Sequence, residues 1–165
     1  MSDLKKIKVV IKNYETQGLG DLDALYGRVR LEDEHGNTFY FEKVVMLKYL
    51  QRHGAMATDV PRVWYFKHLS KKSIVILAFE KNGGQVEYDL DDLRVITRTA
   101  MLRGILMTLA AVPMGVIAAT ATFGIGLVLI PMGLWYGYKN VFKLPKMLGR
   151  KTLLSDFAKA GVVVR

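Results

Sequence analysis

Polar and apolar residues alternate through the first part of the chain. KKIKVVIKNY, from Lys5 to Tyr14, is rich in β-branched residues and reads as a strand, and TQGLGDLD after it supplies turn residues. From Tyr26 to Glu32, Val29 and Leu31 alternate with Arg28, Arg30 and Glu32. After DEHGN, the segment TFYFE sets Phe39 and Phe41 against Tyr40 and Glu42. Gly36 and Asn37 tolerate the positive φ of a tight turn, so the two runs predict a hairpin. In KVVMLKYLQRHG the apolar spacing changes to that of a short helix, with Val45, Tyr49 and Arg52 along one side and Gly54 as its cap. Thr58 to Pro61 breaks the chain, and RVWYFKHL, SIVILAFE and QVEYDL predict three more strands joined by SKKS and KNGG.

The resulting order is β-β-β-α-β-β-β. Short connections favour an antiparallel sheet or small barrel, and a helix between the third and fourth strands is the order of OB-like folds. Pleckstrin-like and SH3-like barrels are the alternatives.

From Gly104 to Tyr138 the pattern changes completely, because these 35 residues include no Asp, Glu, Lys, Arg or His. A bilayer span needs about 20 predominantly apolar residues, and one straight helix of this length would overshoot the hydrocarbon. TATFGIG, from Thr120 to Gly126, is the least helix-favouring part, which predicts a hairpin with legs Arg103 to Thr120 and Gly126 to Lys143. Each leg carries Pro-Met-Gly, so each is expected to kink near its middle. Asp91 and Asp92 mark a helix start that runs into the first leg, where carboxylates meet free backbone N–H groups. The fold class is therefore an α+β membrane protein, a small antiparallel β-domain followed by a two-helix transmembrane hairpin. Its expected divisions are residues 1–92 for the β-domain, 93–143 for the hairpin and 144–165 for a basic amphipathic tail.

Charge sharpens this division. Residues 1–98 carry sixteen Lys or Arg against fourteen Asp or Glu, a net +2, whereas residues 99–165 carry eight against one, a net +7. The basicity sits beside the apolar run and not on the β-domain, which argues against nucleic acid as a partner and for anionic lipid. Arg94, Arg98 and Arg103 flank one end of the run; Lys139, Lys143, Lys146, Arg150 and Lys151 flank the other; the turn is uncharged. By the positive-inside bias both termini lie in the cytoplasm of a bacterial-type inner membrane, with Trp135, Tyr136 and Tyr138 at the interface. The N-terminus lacks the apolar stretch of a signal peptide, so export of the β-domain is not expected.

Small residues mark helix contacts. Gly133 and Gly137 are spaced Gly-xxx-Gly, and Gly104, Thr108, Ala111, Gly115 and Ala119 share a side of the first leg. They serve either the packing of the two legs or self-assembly.

Catalytic chemistry is thinly supported. His35, His53 and His68 are scattered, the chain has no Cys, and Gly18-Leu19-Gly20 lacks the rest of a phosphate loop. Asp89, Asp91 and Asp92 fit helix capping better than a metal site. No enzyme, cofactor or metal is expected. Trp64, Tyr65 and Phe66 in succession form a candidate partner surface, unless the strand is buried on both faces; Arg28, Arg30, Arg62, Lys67, Lys71 and Lys72 are candidates for a basic face.

The reading that follows is a non-enzymatic integral inner-membrane subunit, whose hairpin-anchored β-domain assembles with itself or with partner proteins. A small pore-forming or holin-like protein is one alternative. A membrane-tethered nucleic-acid or nucleotide sensor is another.

Overall fold

The computed structural model of the chain describes residues 3–81 and 84–162. It divides into two units, one comprising Met1–Asp92 with Leu154–Arg165 and the other Leu93–Leu153.

The first unit is built on a closed five-strand barrel. Its strands are β1 (Lys5–Leu19), β2 (Asp23–Asp33), β3 (Thr38–Leu47), β4 (Pro61–Ser70) and β5 (Ser73–Glu80), with the short helix α1 (Lys48–Arg52) between β3 and β4. β1 pairs antiparallel with both β2 and β4, β2 with β3, and β4 with β5; a parallel β3–β5 pairing closes the ring. A sixth strand, β6 (Val86–Tyr88), lies antiparallel on β5.

Two differences from the sequence pattern have physical causes. β1 runs past Tyr14 to Leu19, because register shifts between Ile11 and Asn13, Asn13 and Glu15, and Thr16 and Gly18 bend it around the barrel. The turn contracts to Gly20–Leu22, closed by the Gly20 N–H to the Asp23 carbonyl at 2.8 Å. KVVML, expected to open the helix, is instead the second half of β3, and Val44, Val45 and Met46 each pair with β2 and β5. A short apolar run fits either period, and here pairing on both sides decides for strand.

The core is Val9, Ile11, Val29, Leu31, Val44, Met46, Trp64, Ile74 and Ile76, with Leu50 and Ala55 from the α1 region. Trp64 Nε1 donates to the Ala55 carbonyl at 3.1 Å, so the polar edge of this indole is satisfied inside. In β4 and β5 both faces are buried, from Trp64 to Lys67 and from Ile74 to Phe79. Part of that cover is the C-terminal segment, whose Asp156 pairs with Lys67 and whose Phe157 ring lies 6.0 Å from that of Tyr88.

The second unit is helical. α2 (Leu90–Ala121) begins in the first unit and continues unbroken through Pro113. A turn then leads to a 3-10 segment (Ile125–Val128), α3 (Leu129–Tyr138), a π segment (Lys139–Lys143) and α4 (Leu144–Leu148); α5 (Arg150–Lys159) follows and ends in the first unit. Among the described residues one helix, α2, is long and apolar enough to cross a membrane. Of the two expected legs only the first is thus a single span-length helix, because the returning leg is divided among 3-10, α and π geometry. In that leg the proline is not in a helix interior: Pro131 falls in the first turn of α3, where a missing N–H leaves no helix bond unmade, whereas Pro113 lies inside α2 as expected.

Candidate membrane interface

The helical unit starts with a cap. Asp89 Oδ1 accepts the backbone N–H groups of Asp91 and Asp92 at 3.0 and 2.9 Å, occupying two of the donors a helix start leaves open. Arg94, Arg98 and Arg103 follow on exposed positions of α2.

Beyond Arg103 the two legs meet through small residues. A Cβ on Gly104 would meet Asn140 at 2.8 Å; one on Gly137 would strike Thr108, one on Gly115 would strike Ile130, and one on Gly126 would strike the backbone of Ala118 and Ala119. Gly133 lies against Ala111. Gly104, Ala111, Gly115, Ala119, Gly133 and Gly137 thus sit at or beside a contact within one chain, of the close backbone kind that small residues permit.

Three threonine hydroxyls in this unit turn back onto the helix backbone. Thr108 donates to the Gly104 carbonyl at 2.8 Å, Thr120 to Ile117 at 2.7 Å and Thr122 to Ala118 at 2.6 Å; Thr122 Oγ1 also accepts the Gly126 N–H at 2.9 Å. Polar atoms that would be costly in hydrocarbon are therefore bonded to the helix itself. The turn uses Phe123 and Gly124 at φ 50° and 96°, and the Phe123 side chain is fully exposed at its tip.

Outward, the surface is apolar. Leu106, Leu109, Met114, Ile117, Ile125, Met132 and Trp135 are all exposed, and 17% of the most apolar stretch of α2 is buried within the chain. At the far end of the return leg, Lys139 Nζ lies 5.5 Å from the centre of the Trp135 ring, and the Tyr138 and Phe142 rings are 5.5 Å apart. Tyr136, Lys143, Lys146, Arg150 and Lys151 are exposed as well.

The tail divides differently from the expected 144–165 segment, because residues 154–162 belong with the barrel. Its anchor there is Lys67, a β4 residue only 1% exposed whose Nζ lies 2.6 Å from Asp156 Oδ2. Lys67 is therefore an interior cation and not part of a basic face. Trp64, Tyr65 and Phe66 are likewise buried, so the expected partner surface is core in this structure. An aromatic run followed by lysine could not reveal this, since the burial depends on barrel closure and on a helix far along the chain.

A polar cluster also joins β6 to α1. Glu87 of β6 accepts the Tyr49 hydroxyl and the Lys81 ammonium, each at 2.9 Å. The Lys81 bond holds its carboxyl below the usual range, and the bond to Glu87 in turn raises the Tyr49 phenol. His53 stacks on Tyr49 with ring centres 4.0 Å apart, whereas His68 packs near Phe41 and Phe66. Among the described residues no group of three His, Cys, Asp or Glu is placed to hold a metal ion. No family model, curated protein or solved structure matches the chain.

Proposed function

We propose that this chain is a non-enzymatic integral membrane subunit, in which the helical unit anchors an OB-like barrel at the cytoplasmic face of a bacterial-type inner membrane. The observation that carries the reading is the return of residues 154–162 to the barrel, tied by Lys67 and Asp156. A chain that leaves a folded body at residue 93 and rejoins it at residue 154 enters and leaves any bilayer on one side. The cations on both flanks favour the cytoplasm for that side. The order of the barrel strands, with parallel β3–β5 and α1 between β3 and β4, supports the OB-like reading. Because the glycine stripes are used between the legs, assembly with copies or partners falls to the outward faces of α2 and α3 and to the barrel surface.

The chain has no cysteine, so single cysteines report topology directly. Phe123→Cys at the turn and Ser70→Cys on the barrel are to be labelled with an impermeant maleimide in spheroplasts of an expressing bacterium. A crossing hairpin labels at position 123 in intact spheroplasts and at position 70 only after lysis; a hairpin that dips in without crossing labels at neither until lysis. Labelling of position 70 in intact spheroplasts, or release of the protein by carbonate washing, would overturn the proposal.

A further inference from the structure

We propose that an apolar groove between the two legs holds one acyl chain of an anionic phospholipid, whose phosphate meets Arg103, Lys139 and Lys143. The inference deepens the membrane reading above and rests on it. The groove has a volume of about 250 Å³ and is lined by Ile105, Thr108 and Leu109 of α2 and by Tyr138, Val141 and Phe142 of the return leg. Thr108 commits its hydroxyl to the Gly104 carbonyl at 2.8 Å, which leaves the groove wall apolar in character.

Two observations specify the occupant. The first is register: Gly104 lies against Asn140 and Val141, which brings Arg103 to the level of the Lys139–Lys143 segment at one end of the groove, while Leu109 and Leu134 line its uncharged end. A molecule with one anionic and one aliphatic end matches that gradient; a free anion leaves the apolar wall unused, and a neutral lipid leaves the cations unused. The second is the π geometry of Lys139–Lys143. This geometry accounts for well under 1% of residues, mostly as single-turn bulges within α-helices, and is frequent at functional sites. Here one such segment supplies Val141 and Phe142 to the groove wall and itself begins and ends on Lys139 and Lys143.

The full chain, extracted in detergent, is to be mixed with phosphatidylglycerol or phosphatidylcholine of equal chain length, and retained lipid counted by native mass spectrometry. One phosphatidylglycerol per chain is expected, held in preference to phosphatidylcholine. Lys139→Gln and Lys143→Gln should each reduce that preference by about fivefold, as loss of a cation near phosphate implies. Val141→Trp, which fills the groove, should lower retention of both lipids, and Ile105→Trp from the opposite wall should do the same if the first variant misfolds by circular dichroism. Equal retention of the two lipids, or undiminished retention in the filled variants, overturns the lipid site while leaving the anchor intact. Recovery of the wild-type chain as a soluble protein without detergent overturns the anchor itself.

Discussion

Replacing Asp156 with Ala tests the joint on which the architecture turns. The Lys67 ammonium is 1% exposed and lies 2.6 Å from a carboxylate that is itself 17% exposed. At an effective dielectric of 20, attraction at 2.6 Å is about 6 kcal/mol before desolvation of the two ions is subtracted. Removal of one partner from a buried pair leaves the other charge in the interior, and such losses run to about 3–5 kcal/mol. The double variant Lys67→Met with Asp156→Leu removes both charges and fills the space, so it should recover most of that loss. Urea unfolding in mild detergent, followed by the buried Trp64 in a Trp135→Phe background, measures the midpoints. Hydrogen exchange then locates the effect, which should fall first on residues 154–162. A loss below about 1 kcal/mol for Asp156→Ala, or a double variant weaker than the single one, would refute the reasoning.

Two further outcomes follow from the same geometry. Glu87 has a carboxyl held below its ordinary value by Lys81 and Tyr49, so its contribution to stability is present above the unfolded carboxylate pKa of about 4.3 and is lost as pH falls through the lowered folded value. Glu87→Gln should therefore be less stable than the parent at pH 7, with the difference closing on acidification below about pH 4, read from unfolding midpoints across that range. Gly126→Leu forces a side chain into the Ala118–Ala119 backbone, and should separate the legs at the turn at a cost of about 1–3 kcal/mol. Faster hydrogen exchange at Ala118–Gly126, with the barrel unchanged, would mark that separation; unaltered exchange would show that the turn is not packed as described.

Local pattern determined much of this protein. The order of strands and helices was legible, because alternation, turn residues and caps are properties of neighbours: Asp89 to Asp92 announce the start of α2, and the charge-free stretch from Gly104 to Tyr138 announces an apolar helical unit. The glycine spacing that marks the leg contact could be read as well, although only three dimensions show that its partner is the same chain.

Tertiary structure decided what depends on distant residues. KVVML is strand because β2 and β5 lie on either side of β3, and no property of those five residues selects that outcome. Pro131 opens a helix instead of kinking one, since its place relative to the turn sets what a missing N–H costs. Lys67 reads in sequence as one more surface cation. Barrel closure and the returning C-terminal segment make it an interior ion opposite the Asp156 carboxylate, because burial is a property of everything packed around a side chain and not of the residues beside it.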